Sequence, residues 1–260
     1  MADRKCTYSV REGVAVMTVD NPPVNALSKA VVEDIETTVN EALRDETVRV
    51  IVFTGAGKRA FIAGADINEL VNLGKKEDGI KYLTKGQELT KTIENSDKPF
   101  IAAIQGYCLG GGMEFALSCH IRIADEKAKF GQPEIKLGVI PGYGGTQRGA
   151  RQMGKARALE LILAGDFISA KQAAEYGVVN RVVPEGEVLD AAMSLAQAIA
   201  KKSRVVVKAT IRAINEGVKL DFDASMKLEK EIWGELCETE DKAEGVAAFL
   251  EKREPKFKDK

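Results

Sequence analysis

Histidine is almost missing from this sequence of 260 residues, which contains only His120. A three-histidine zinc site, an HExxH protease motif and a paired-histidine zinc finger each need at least two histidines. The four cysteines show no CxxC spacing and are interpreted as reduced thiols of a cytosolic-type protein. We therefore expect the chemistry of any site to come from carboxylates, backbone groups or lysines.

An excess of charge of one sign is also missing. Lysine and arginine number 38, and aspartate and glutamate number 39, which gives a formal net charge of −1. Proteins that grip nucleic acid need clustered positive charge, so no nucleic-acid partner is predicted. The most apolar stretch, residues 99–119, is interrupted by Gln105, several glycines and Glu114, and predicts no membrane span. The charged N-terminus has no apolar signal region, and we expect a cytoplasmic protein.

The common nucleotide and hydrolase motifs do not occur. There is no GxxxxGK[ST] phosphate loop and no GxSxG nucleophile motif. Gly142 and Gly144 begin a GxGxxG pattern, but Gln147 stands where the last glycine should be. The sequence therefore predicts no nicotinamide, flavin or ATP cofactor and no metal.

The first half of the chain alternates strand and helix patterns. Apolar, β-branched runs predict strands, and the helix that follows the first of them has Ser28 as its N-cap. This alternation predicts an α/β core with parallel strands over residues 1–195, and a helical C-terminal region over residues 196–260. The predicted strands are 14–19, 48–54, 99–104, 121–124 and, alone in the second half, 178–183.

A cluster of three glycines opens the predicted helix that carries Glu114. Glycines at a helix start allow close approach to free N–H groups, which favour an anion or a developing oxyanion. Taken alone, the cluster favours a tight strand-to-helix turn with close packing over such a site. Glu114 lies among apolar neighbours, so its carboxylate is expected to be partly desolvated and suited to proton transfer. The alternative is a glutamate stabilised only by the helix dipole.

A second glutamate, Glu134, follows Pro133 at another predicted turn. Ligands bind beyond strand ends in sheets of this kind, and paired carboxylates there can position one water and move its protons. A third segment, residues 61–67, offers small residues and exposed N–H groups, and Asp66 is expected to N-cap a helix over 67–73.

Four segments in this order resemble the crotonase superfamily, and most closely its short-chain enoyl-CoA hydratases. They are Ala63-Gly-Ala-Asp66, Gly106-Tyr-Cys-Leu-Gly-Gly-Gly-Met-Glu114, Phe130-Gly-Gln-Pro-Glu134 and Pro141-Gly-Tyr-Gly-Gly-Thr-Gln-Arg148. The resemblance covers residues 14–253. It implies a spiral of ββα units with a helical C-terminal trimerisation region, assembled as a homotrimer or homohexamer.

The resemblance also implies roles for individual residues. The N–H groups of Ala65 and Gly111 would form an oxyanion hole for the thioester carbonyl of an acyl-CoA. Glu134 would give a proton to the α-carbon, while Glu114 activates water with help from the Gly142 N–H. Asn68 stands where related hydratases often carry lysine, which puts one phosphate contact in doubt. The implied substrate and coenzyme A contacts are Ala26, Ala63, Ala65, Asp66, Ile67, Asn68, Gly111, Pro133 and Lys252.

The implied activity is reversible hydration of a 2-enoyl-CoA, with coenzyme A entering as part of the substrate and no separate cofactor. The presence of both Glu114 and Glu134 favours a hydratase. An isomerase, or a hydratase of a branched or cyclic dienoyl-CoA, is the alternative on the same scaffold, and a non-catalytic CoA- or RNA-binding module is the alternative of another class. Tyr143 and Leu70 are candidates for the acyl pocket. His120 has no role in this chemistry, and the helix dipole would mildly favour its charged form.

Overall fold

The computed structural model describes residues 4–71 and 73–260, and its core is a six-stranded sheet. The strand order is β1-β2-β3-β5-β7-β10, and every neighbouring pair is parallel except the antiparallel hairpin of β1 with β2. The predicted parallel α/β core is confirmed, while β1 was not predicted. The bounds are β1 (Cys6–Arg11), β2 (Val14–Val19), β3 (Val50–Gly55), β5 (Phe100–Ile104), β7 (Ile121–Asp125) and β10 (Arg181–Val183).

A second sheet of four short strands packs beside the first. It contains β4 (Ala60–Ile62), β6 (Tyr107–Leu109), β8 (Lys129–Gly131) and β9 (Phe167–Ser169), in the order β4-β6-β8-β9. Each of β4, β6 and β8 follows a strand of the main sheet and precedes a helical segment, so the chain repeats a ββα unit three times. These strands have three residues each, too few to show a period of two in the sequence.

Eleven α-helices occur in the described residues. Ser28 caps α1 by accepting a hydrogen bond from the N–H of Val31, as predicted. The N-terminal helices are α1 (Lys29–Arg44), α2 (Ile67–Leu70), α3 (Lys76–Glu94), α4 (Gly111–Ser118), α5 (Gly145–Met153) and α6 (Lys155–Ala164). The others are α7 (Ala170–Glu175), α8 (Val188–Ala200), α9 (Arg204–Gly217), α10 (Phe222–Cys237) and α11 (Glu240–Glu251).

Three predicted boundaries do not coincide with the ends of the observed elements. The strand predicted over 178–183 is wrong in length, because only Arg181–Val183 pairs with β7, and β9 shows that it is not alone in the second half. The helix predicted over 67–73 is described only as α2, and residue 72 lies outside the described residues. The predicted domain boundary at 195/196 falls inside α8, whose buried face packs on the main sheet. The helical C-terminal region therefore begins after α8.

The two faces of the main sheet are covered differently. One face packs against α8 through small residues such as Ala192 and Ala196. The other faces α1, α4 and the second sheet, where Phe53, Phe61 and Phe115 stack edge to face. Strands β4, β6 and β8 of the second sheet lead into the turns before α2 and α4 and into the 3-10 helix Pro133–Leu137, and these three segments line one pocket. Within residues 4–71 and 73–260, none of the helices combines the length and apolar character of a membrane span.

Candidate active site

The glycine cluster turns the chain sharply from β6 into α4. Gly110 has φ +52° and ψ −127°, a conformation that side chains with a Cβ rarely adopt. A Cβ at this position would also lie 2.8 Å from Oε1 of Glu134. The cluster therefore forms a tight turn, which also brings the start of α4 beside a carboxyl group. Its role in holding an oxyanion stays a prediction.

Two backbone N–H groups beside this turn have no acceptor among the described residues. Leu27 donates its N–H to Gly64 and accepts from the N–H of Asp66, both at 2.8–2.9 Å. These two bonds pair Leu27 with Ala65 in an isolated parallel β-bridge, so the N–H of Ala65 itself points away from Leu27. The N–H of Gly111 belongs to the first residue of α4, where no carbonyl precedes it in the helix. Ala65 and Gly111 line the same pocket.

Glu114 is a buried carboxyl group held by the loop before α5. Only 2% of the residue is exposed, and its Oε1 accepts the N–H of Tyr143 at 2.7 Å and that of Gly145 at 2.6 Å. Burial raises the pKa of Glu114 to about 7, although the amides of Gly145, Tyr143 and Gly142 oppose the rise. The desolvation expected from its apolar neighbours is therefore present, and this carboxyl can take up or release a proton near neutral pH.

Glu134 lies in the first turn of the 3-10 helix and is half-buried. Burial raises its pKa to about 7, and the nearby charge of Glu114 adds to the rise. When the side-chain amide of Gln132 is placed in the orientation that satisfies both its oxygen and its nitrogen, the nitrogen donates to both carboxyl oxygens of Glu134 at 3.2 Å. Gln132 is itself 1% exposed. Its part in the site was missed, although it stands inside the quoted Gly-Gln-Pro-Glu segment.

These groups face one pocket of about 330 Å³. Its apolar part includes Leu70, Leu83, Tyr82 and Tyr143, so the predicted acyl-pocket residues Leu70 and Tyr143 lie in its wall. The structure brings most of the predicted site residues together here: Ala63, Ala65, Ile67, Gly111, Glu114, Pro133, Glu134 and Gly142.

Four predicted contacts lie outside the pocket wall. Ala26 is half-buried, and its carbonyl accepts from Asn21. Asp66 caps α2 by accepting from the N–H of Asn68, as predicted, and also from the Asn68 side chain. Lys252 is exposed at the end of α11. Their contacts to coenzyme A stay predictions.

His120 does not behave as the helix dipole suggested. Its Nδ1 accepts a hydrogen bond from the N–H of Phe100 at 2.9 Å, and its ring stacks on the Phe100 ring. Burial lowers the pKa of His120 to about 4, so the ring is neutral. The expectation of a favoured cation is wrong, because desolvation outweighs the attraction of the helix end.

Comparison with known proteins decides the family. Residues 9–260 match the model of the enoyl-CoA hydratase/isomerase family. The chain belongs to this family. It is similar to a "Probable enoyl-CoA hydratase" of Bacillus subtilis, with 45% identity over 97% of this chain and 98% of that protein. It is also similar to a short-chain-enoyl-CoA hydratase of Clostridium acetobutylicum, with 41% identity over 94% of each chain.

A solved structure of an enoyl-CoA hydratase from Bacillus anthracis has the same fold. It superposes with a TM-score of 0.93 and 35% identity, over 98% of this chain and 100% of that chain. The expected crotonase-type α/β fold with C-terminal helices is thereby confirmed, and so is the prediction of an enzyme of this family.

Proposed function

We propose that this enzyme adds water reversibly to the 2,3 double bond of a 2-enoyl-CoA and gives a 3-hydroxyacyl-CoA. The observation that carries the proposal is the pair Glu114 and Glu134. Both carboxyl groups line one pocket, and burial raises the pKa of each to about 7. Two groups with pKa values near neutrality can share one proton, so that one acts as acid while the other acts as base.

The thioester carbonyl is held by the N–H groups of Ala65 and Gly111. When its oxygen accepts from Ala65 and Gly111, the double bond lies between the carboxyl groups, and negative charge that develops on the oxygen is stabilised. Gly111 is the first residue of α4, so the positive end of the helix dipole adds to this stabilisation. Each N–H is fixed by the fold and needs no rearrangement during the reaction.

The proton balance assigns the two carboxyl groups. Ionised Glu114 takes a proton from water as the oxygen of that water bonds to C3 of the substrate. The electron pair of the double bond moves towards the thioester, and protonated Glu134 gives its proton to C2. Glu114 then holds the proton taken from water and Glu134 is ionised, and proton exchange with solvent at the two carboxyl groups restores the starting state. No cofactor takes part, since coenzyme A enters as part of the substrate.

The substrate is oriented by the two ends of the pocket. The acyl chain lies against the apolar wall at Leu70 and Tyr143, and the coenzyme A end leaves past Ala63 and Ile67. Asn68 and Lys252 are assigned to the outer part of coenzyme A, where the missing lysine at position 68 weakens one phosphate contact. For Lys252 the contact is made from a neighbouring subunit.

A homotrimer or homohexamer is part of the proposal. The helices α9, α10 and α11 leave large apolar side chains in solvent, among them Val218 at 77% and Phe249 at 82% exposure. Large apolar side chains in solvent favour association, because a partner surface would bury them. Light scattering on the purified protein is expected to give three or six times the mass of one chain, and a monomer would contradict this part.

A panel of thioesters tests the reaction and its alternatives. It contains 2-enoyl-CoAs from four to sixteen carbons, a 3-enoyl-CoA and a cyclic dienoyl-CoA. Water addition to the straight 2-enoyl-CoAs supports the proposal. Conversion of the 3-enoyl-CoA alone would make the enzyme an isomerase, and turnover of the cyclic dienoyl-CoA alone would make it a specialised hydratase. Tight coenzyme A binding without any turnover would favour a non-catalytic module.

A further inference from the structure

One face of α3 packs against the loop between the 3-10 helix and α5, whose backbone N–H groups bond to the Glu114 carboxyl group. Leu83, Gly86, Gln87 and Thr90 are three or four residues apart and therefore share a side of this helix. Leu83 packs against Gly142, and the absence of a Cβ at Gly86 leaves room for the ring of Tyr143. The loop is thus held at close range by a helix that contributes no acid or base to the proposed chemistry.

Two side chains on this face bond to the loop backbone. Nε2 of Gln87 donates to the carbonyl oxygen of Gly142 at 2.8 Å, and Oγ1 of Thr90 donates to the carbonyl oxygen of Tyr143 at 3.1 Å. The carbonyl of Tyr143 has a second donor, Nη1 of Arg148 at 2.9 Å. For the carbonyl of Gly142, Gln87 is the only donor among the described residues.

The Gly142 carbonyl and the Tyr143 N–H belong to the same planar peptide group. That N–H donates to Oε1 of Glu114 at 2.7 Å. Gln87, this peptide and Glu114 therefore form a chain of two hydrogen bonds, in which the first fixes the plane of the peptide and strengthens the second. Gln87 itself lies outside the wall of the substrate pocket.

We propose that Gln87 is a positioning residue for the hydration reaction, which orients the Gly142–Tyr143 peptide so that its N–H holds the Glu114 carboxylate. The inference rests on the proposed function, because it assigns Gln87 an effect on the base of that reaction. Gln87 touches neither substrate nor reacting atoms.

The charged and titratable groups that act on Glu114 are known from the structure. Arg148 of α5 favours the ionised form of Glu114, and the charge of Glu114 in turn raises the pKa of Glu134. The phenol of Tyr143 is neutral, because burial raises its pKa. Arg148 is paired with Glu94 of α3 at 2.9 Å. None of these groups bonds to Gln87 in the described residues, so a change at Gln87 leaves their charges in place. A weaker Tyr143 N–H bond then raises the pKa of Glu114 and moves the acid limb of the activity profile to higher pH.

The test compares three variants by their kcat, KM and pH profiles on a four-carbon 2-enoyl-CoA. Gln87→Leu removes the donor, and its kcat is expected to fall about three- to tenfold, the loss of one ordinary hydrogen bond. KM stays unchanged, and the acid limb moves to higher pH. Gln87→Lys keeps a donor on a long side chain and is expected to retain most of kcat, without an upward shift of the acid limb. Glu88→Leu places the same leucine at the neighbouring exposed position and is expected to match the wild type.

Three results would overturn the inference. The first is an unchanged kcat and pH profile in Gln87→Leu. The second is an equal upward shift of the acid limb in Gln87→Leu and Gln87→Lys. The third is a Gln87→Leu protein that loses thermal stability but keeps its kcat. Failure of the proposed function looks different, because the wild type itself would then not hydrate the thioester. In that case direct titration of the Glu114 carboxyl by infrared spectroscopy still tests the link, since Gln87→Leu is expected to raise its pKa and Glu88→Leu is not.

Discussion

Glu114→Gln is expected to make the protein more stable at pH 8 while it removes activity. Glutamine has nearly the same shape, and its Oε1 can accept the two N–H bonds that Tyr143 and Gly145 donate. It carries no charge at any pH, so the cost of burying an ionised carboxylate disappears. Active-site groups commonly exchange stability for function in this way.

The magnitude follows from the pKa of Glu114. Folding raises it from 4.5 to about 7, so the wild type loses stability as the pH rises through this window. This pKa difference lowers the free energy of unfolding of the wild type by about 3 kcal/mol at pH 8. The loss is only about 1 kcal/mol at pH 5, where most of the folded protein is protonated at this site. The loss of repulsion on Glu134 acts in the same direction.

Urea unfolding at the two pH values measures the effect. The free energy of unfolding of Glu114→Gln is expected to exceed that of the wild type clearly at pH 8 and only slightly at pH 5. Glu88→Gln, on the exposed surface of α3, is the control and should leave the wild-type values unchanged. A Glu114→Gln protein that is equally stable or less stable than the wild type at pH 8 would refute the argument from desolvation.

Three further predictions follow from the site. Gly111→Pro removes one oxyanion donor and should lower kcat about 10²- to 10³-fold in steady-state assays. Gly111→Ala keeps the N–H and should retain much more activity. Equal losses in the two variants would contradict the oxyanion hole. The pH profile of kcat should be bell-shaped around neutrality, because hydration needs ionised Glu114 and protonated Glu134, and a rate that rises without a maximum would refute the shared proton. His120→Asn should leave turnover nearly unchanged, since the ring is neutral and its Nδ1 accepts from the backbone N–H of Phe100. A loss of hundreds-fold in a folded variant would mean that the site has been assigned to the wrong residues.

The sequence was sufficient to predict the parallel core and most of the named residues that line the candidate pocket. Apolar runs such as residues 99–104 are long enough to show a buried strand, and Ser28 and Asp66 are side chains with a strong preference for N-caps. The environment of Glu114 was predictable because its immediate neighbours in α4 are apolar and buried with it.

What sequence patterns could not show depends on contacts between distant segments. The strands β4, β6, β8 and β9 have three residues each and are defined by pairing with one another. The neutral state of His120 depends on burial beside Phe100 and not on its place at a helix end. Gln87 is separated from Gly142 by 55 positions, and no local pattern connects an exposed residue of α3 with the carboxylate of α4.

The central claim is that Glu114 and Glu134 carry out the reaction as base and acid. The most direct measurement is the loss of ultraviolet absorbance when a four-carbon 2-enoyl-CoA is mixed with the wild type, Glu114→Gln or Glu134→Gln at pH 7. We predict rapid hydration by the wild type and a loss of at least about 10²-fold in kcat for each variant, with both variants folded. Wild-type turnover by Glu134→Gln would contradict the account.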